Sequence, residues 1–226
     1  MKKLFLFDID GTLISPGNIA RKLLDKIFLD EFGKSPNFKY DDVAGSTDLL
    51  IVGNGLSRIK IKSNSKNELI ERILKLYIEK LKSAFEKSTK PFVYKDTLKL
   101  LNKVREKKYS YGILTGNIKA AAKIKLKKFN LWNEFSFGVY GEDANSRADL
   151  VWLAREKAWE ELEESFHFKD IILVGDTVSD AEAATQNGAK SIIASRIDHK
   201  KTALETSSAT IVVDDLNQVN LNDFIN

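Results

Sequence analysis

The stretch "LFLFDIDGTL", residues 4–13, constrains the fold more than any other part of the chain. Leu4, Phe5, Leu6 and Phe7 form a continuous apolar run, as expected of a short strand covered on both faces. The run ends in Asp8 and Asp10, followed by Gly11 and Thr12. Two carboxylates at the end of a buried strand repel each other and lose hydration. Something else in the protein must offset that cost.

Other short apolar runs read as strands: Tyr109–Leu114, Phe137–Tyr140, Ile171–Val174, Ser191–Ala194 and Thr210–Val213. Helical periodicity lies between several of them. Ile118, Ala122, Leu126 and Phe129 share one face, as do Leu150, Ala154, Ala158 and Leu162. Ala181, Ala184 and Gln186 lead to Gly188, a helix C-terminal signal. Alternating helices and fully apolar strands predict an α/β fold, a parallel sheet with helices on both faces. Ligands of such folds bind outside the carboxyl ends of the strands.

Residues 15–90 read differently. Ile19, Leu23, Leu24, Ile27 and Phe28 predict an amphipathic helix capped by Asn18. Leu69, Ile73, Tyr77 and Leu81 predict a longer one. "DDVAGSTDLLIVGNGL" between them reads as a further helix and its turn, with Ser46 or Thr47 as N-cap. Ile59 and Ile61 alternate with lysines and suggest a stray strand. Pro91 marks the return to the sheet. The expectation is an all-helical insertion over 15–90, set into a core formed by 1–14 and 91–226.

The ends of the other predicted strands carry polar residues too. Tyr109–Leu114 runs into Thr115, Gly116 and Asn117, and Ile171–Val174 into "GDTVSD", with Asp176 and Asp180. Arg147 lies between them near a helix start. If these strands are neighbours, the four aspartates, Thr115 and Arg147 meet at one crevice. Crowded carboxylates cannot all stay ionised in a dry site, and a hard divalent cation with oxygen ligands resolves the conflict. Arg147 would add a bidentate grip on a phosphoryl group. Thr115 and the N–H groups of the helix beginning at Asn117 would hold further phosphate oxygens.

"DIDGTL", "LTGN" and "GDTVSD", in that order, resemble the first, second and fourth motifs of the haloacid dehalogenase-like superfamily, and the resemblance spans the whole chain. It implies a Rossmann-like core with a cap between the first and second motifs. It also implies an Mg²⁺-dependent phosphomonoester hydrolase acting on a small phosphorylated metabolite. Asp8 would be the nucleophile, forming an aspartyl-phosphate. Asp10 would protonate the leaving oxygen and then deprotonate water. Asp8, the backbone carbonyl of Asp10, and Asp176 would bind Mg²⁺, with Asp180 supporting the site directly or through water. Thr115 would hydrogen-bond the phosphoryl group, and Gly116 and Asn117 would shape the turn.

Two departures stand out. "ISPGN" replaces the acidic residue that many capped relatives carry after the first motif, which blurs the subfamily. The third motif lacks its common Lys-Pro pair, so it falls to Arg147, with Lys119 and Lys123 in reserve. A phosphomutase of the β-phosphoglucomutase type and a catalytically idle binding relative are the alternatives. A dehalogenase would lack Asp10.

The net charge of +4 and pI near 9.0 reflect lysines spread along the chain, with a denser stretch from Arg58 to Lys66. They read as a solvated surface, and no nucleic-acid partner is expected. The absence of cysteine rules out disulfides and thiolate chemistry and fits a reducing, cytoplasmic location. The N-terminal apolar run is too short for a membrane span, so no membrane partner is expected. Monomer and homodimer are both open. Trp132, Trp152 and Trp159 read as packing residues, and His167 and His199 as surface or satisfied core. "GNGL" at Gly53 is no nucleotide fingerprint.

Overall fold

The computed structural model describes residues 2–62, 65–197 and 200–224. The apolar run at the N-terminus is strand β1 (Leu4–Phe7), fully buried at the centre of a sheet. It pairs in parallel with β4 (Ser110–Leu114) on one side and β6 (Ile171–Gly175) on the other. With β5 (Gly138–Val139), β7 (Lys190–Ala194) and β8 (Ile211–Val213), the order is β5-β4-β1-β6-β7-β8, every pair parallel. The register aligns Phe7 with both Ile113 and Val174. The three central strands therefore end level, and the residues that follow them share one rim of the sheet.

The period of two along β1 divides the core. Leu4 and Leu6 pack with Leu150, Ala154 and Ala184 from α6 (Arg147–Leu162) and α7 (Val178–Gln186). Phe5 and Phe7 point the other way, toward Leu100, Ala122 and Leu126 from α4 (Lys95–Glu106) and α5 (Lys119–Lys127). Short α8 (Lys201–Glu205) precedes β8. This is the α/β architecture that the sequence pattern predicts.

After β1 the chain forms a small antiparallel pair, β2 (Ile14–Ser15) with β3 (Phe92–Val93). Between these strands lie α1 (Ile19–Phe32), α2 (Asp48–Arg58) and α3 (Lys66–Lys87). Their apolar faces, with Ile27, Phe28, Val52, Tyr77 and Phe85, join the same buried cluster as Phe5 and Phe7. Each such side chain contributes about 1.5–3 kcal/mol when fully buried. Among the described residues no helix is long and apolar enough to cross a membrane.

Several local expectations need correction. Asn18 precedes α1 in the left-handed conformation, and its side chain makes no capping hydrogen bond. Ile59 and Ile61 form no strand: Ile59 closes α2, and both side chains pack into the core. The alternation with lysine reflects the end of a helix. Trp152 and Trp159 are not packing residues; they are 49% and 59% exposed on the outer face of α6. Trp132 does pack, stacked on Tyr140. His167 is exposed, and His199 lies outside the described residues.

Candidate active site

The level strand ends place Asp8 after β1, Thr115 after β4 and Asp176 after β6. Asp8 is held at the rim by its N–H, which donates to the Val174 carbonyl at 2.9 Å. The chain then turns tightly, with the N–H groups of Leu13 and Ile14 both donating to the Ile9 carbonyl. Gly11 takes φ +86° in this turn, and a Cβ there would lie 2.1 Å from Asp176 Oδ2. Only glycine lets the backbone come so close to that carboxylate. The turn is therefore shaped around Asp176.

Asp180 stands in the first turn of α7. Its Oδ2 accepts from the Thr177 hydroxyl at 2.7 Å and the Thr177 N–H at 3.0 Å, while its own N–H donates to Thr177 Oγ1. This reciprocal cap makes Asp180 a helix-start residue. Its other oxygen, Oδ1, meets Arg147. Arg147 begins α6 behind Ser146, whose hydroxyl accepts the Asp149 N–H. The guanidinium also lies 2.9 Å from Asp8 Oδ1. One buried cation thus bridges two buried carboxylates.

The electrostatics are those of a site short of positive charge. Burial pushes the Asp8 carboxyl up to about 7; Arg147 opposes this, while Asp180 and Asp10 add to it. Asp176 is raised well above its ordinary value by burial, then by Asp180 and Asp8. Burial disfavours the Arg147 cation, but Asp180 and Asp8 outweigh that and hold it charged. Asp8, Asp176 and Asp180 each offer a carboxylate oxygen within 4.8 Å of the others. Asp180 Oδ1 is buried and paired with the Arg147 guanidinium. Hard oxygen donors and excess negative charge fit a hard divalent cation.

Asp10 belongs to a neighbouring cluster. Its Oδ2 accepts from Asn117 Nδ2 at 3.1 Å and forms an ion pair with Lys125. Asn117 Nδ2 also reaches Thr115 Oγ1 at 2.9 Å, and Asn117 Oδ1 accepts from Lys125. Sequence reasoning missed Lys125. It passed over this lysine for Lys119 and Lys123, which instead lie over the rings of Tyr140 and Trp132. The helix face carried a signal, because Lys125 follows Ala121 and Ala122 by four and three residues on the inward side.

The start of α5 is not free to hold phosphate, contrary to expectation. The Asn117 N–H points to Thr115 Oγ1, that of Ile118 donates to Asp48 Oδ2, and that of Lys119 donates to Glu142. Asp48 comes from the helical insert, where Thr47 caps α2 by accepting the Leu50 N–H. Thr47 thus takes the capping role, and Gly45 and Ser46 line the cavity described next.

A cavity of about 530 Å³ opens over these groups. Asp8, Asp10, Thr115, Asn117, Arg147 and Asp176 form its sheet side. Arg21, Leu24, Ser46 and Ile51 face them from the insert. Tyr40 leans in beside Asp176, and burial followed by that carboxylate pushes its phenol up.

Residues 5–194 match the haloacid dehalogenase-like hydrolase family. No curated protein matches by sequence. Solved structures with the same fold include a hydrolase from Pseudomonas syringae, at 21% identity and TM-score 0.71, covering 98% of this chain and 97% of that one. CbbY from Rhodobacter sphaeroides, in complex with phosphate, aligns at 14% identity and TM-score 0.74, covering 96% of each chain. β-Phosphoglucomutase from Clostridium difficile aligns at 14% identity and TM-score 0.70, covering 99% of this chain and 95% of that one. With a family match that runs from β1 through the insert and the rim to the end of β7, this chain belongs to the haloacid dehalogenase-like hydrolases.

Proposed function

We propose that the protein is an Mg²⁺-dependent phosphomonoester hydrolase acting on a small phosphorylated metabolite. The observation that carries this reading is the convergence of Asp8, Asp176 and Asp180 beside Arg147, at the floor of a cavity roofed by the insert. A phosphate monoester dianion adds charge to a site already rich in carboxylates. Only a site that also holds cations tolerates it. The phosphate bound to CbbY, a structure of the same fold, agrees with this class of ligand.

Asp8, Asp176 and Asp180, with the Asp10 backbone carbonyl, would hold Mg²⁺. When bound, the ion neutralises carboxylate charge and stabilises the negative charge gathering on the phosphoryl oxygens. Arg147 and Thr115 orient the phosphoryl group. A carboxylate oxygen of Asp8 attacks phosphorus, the bond to the ester oxygen breaks, and the leaving alkoxide takes a proton from Asp10. Asp10 then accepts a proton from water as that water attacks phosphorus. The Asp8–phosphate bond breaks and inorganic phosphate leaves. In this reading residues 15–90 form a lid over a core of 1–14 and 91–226, and the lid excludes bulk water during both steps.

The test is phosphate release from a metabolite panel, with Mg²⁺ and with EDTA. Release that needs Mg²⁺ and disappears in Asp8→Asn supports the proposal. Equal rates in EDTA would remove the metal, and turnover by Asp8→Asn would remove the nucleophile. Isomerisation of a sugar phosphate without phosphate release would make the enzyme a phosphomutase.

A further inference from the structure

Lys125 is 1% exposed, inside a helix that otherwise turns Ala121, Ala122 and Leu126 inward. Burying an ammonium is costly, and an apolar residue would fill the same space without that cost. The charge must be accounted for by what it touches. Its partners are Asp10 Oδ2 and Asn117 Oδ1, and it also stands close enough to Asp48 to stabilise that carboxylate. The two buried cations of the site are thus divided. Arg147 serves Asp8 and Asp180, and Lys125 serves Asp10.

We propose that Lys125 is the positioning residue for Asp10, fixing one carboxylate oxygen and with it the orientation of the acid–base group. Lys125 Nζ has donors only, so it turns the Asn117 amide with Oδ1 inward and Nδ2 toward Asp10. Asp10 Oδ2 is then engaged by both Lys125 and Asn117. Asp10 Oδ1 is buried and has no hydrogen-bond partner among the described residues. Two donors on one oxygen hold the carboxyl group in a single orientation at the edge of the cavity. The inference rests on the acid–base role of Asp10 given above.

The experiment compares kcat/KM for 4-nitrophenyl phosphate, whose leaving group needs little protonation, with that for phenyl phosphate, whose leaving group needs more. Enzymes with Lys125→Met, Asp10→Asn and both changes are measured beside the parent in Mg²⁺. Lys125→Met should lose at least about tenfold more on phenyl phosphate than on 4-nitrophenyl phosphate, within the range of a general-acid contribution. In the Asp10→Asn background it should cost nothing further. Equal losses on both substrates, or independent costs in the double variant, would overturn the proposal. If Asp10→Asn discriminates between the substrates while Lys125→Met does not, Lys125 alone loses its role. If Asp10→Asn does not discriminate, the acid–base reading falls and takes the inference with it. Lys125→Gln keeps a donor without the charge and carries the same comparison should Lys125→Met fail to fold.

Discussion

The Asp48 carboxylate accepts the Ile118 N–H at 2.9 Å, while the Asp48 N–H donates to the Gly116 carbonyl at 2.8 Å. A single residue of the insert is thus fastened twice to the turn after β4. Burial lifts the Asp48 carboxyl to about 6, with Lys125 and the Ile118 N–H opposing the rise. Its folded value therefore lies above the unfolded 3.8. Between those values the folded state binds more protons than the unfolded one, so stability falls as pH rises through the window from about 4 to about 6. Asp48→Asn keeps a carbonyl acceptor for Ile118 without the charge. It should match the parent near pH 4 and be more stable by on the order of 2 kcal/mol above pH 6.5. Urea unfolding across that range checks this. A variant less stable than the parent at neutral pH would mean that the ionised carboxylate contributes net stability.

Gly116 supports the same contact by having no side chain. A Cβ there would lie 2.3 Å from the Ser46 carbonyl oxygen and 3.2 Å from Thr47 Cα, both backbone atoms that cannot swing aside. Gly116→Ala should push the Ser46–Asp48 segment off the turn and destabilise the protein by roughly 1–3 kcal/mol, as other overpacked sites do. The Asp48 effect should shrink with it, because its two hydrogen bonds need the same approach. A double-mutant cycle on unfolding free energies measures that coupling. Additive costs would show that the two residues do not share one contact.

The sequence exposed the parts of this arrangement that are local. Asp8, Asp10, Thr115, Asp176 and Asp180 each stand within a few residues of a strand end, and strand ends are legible from apolar runs. The parallel register then brings them to one rim. Contacts set by the insert's docking were not legible. Whether an N–H at the start of α5 is free depends on Asp48, distant in sequence and carried by another element. Lys125 was hidden by its setting, since "KAAAKIKLKK" is dense in lysine and most of those side chains are solvated. Trp152 and Trp159 failed the other way. Composition favours burying tryptophan, but the buried face of α6 is filled by Leu150, Val151, Ala154 and Ala158.

Arg147 touches two carboxylates that lack other cationic partners among the described residues. Arg147→Ala should cost on the order of 3–5 kcal/mol, the usual penalty for leaving buried charge unpaired. If Asp8 and Asp180 are ligands, Mg²⁺ can replace part of the lost positive charge. The ion should then stabilise the variant more than it stabilises the parent. Thermal unfolding of both proteins with and without Mg²⁺ checks this. Equal stabilisation of the two would separate Arg147 from the metal site.

Gly11 allows a test of the proposed metal site that changes none of the aspartates assigned to it. Mg²⁺ that binds only the folded state should raise the parent's unfolding free energy by RT ln(1 + [Mg²⁺]/Kd), about 2.7 kcal/mol at one hundred times Kd. Asp176→Asn should lose most of that increment by removing a donor. Gly11→Ala leaves every aspartate in place, yet its Cβ would fall 2.1 Å from Asp176 Oδ2 and 2.3 Å from Cγ. The carboxylate must then move, and φ +86° is itself costly for alanine. The variant should therefore be less stable without metal and should also lose the Mg²⁺ increment. The second effect is the informative one, because backbone strain alone lowers stability without touching ion affinity. A Gly11→Ala protein that is destabilised but still gains the full Mg²⁺ increment would place the ion away from Asp176.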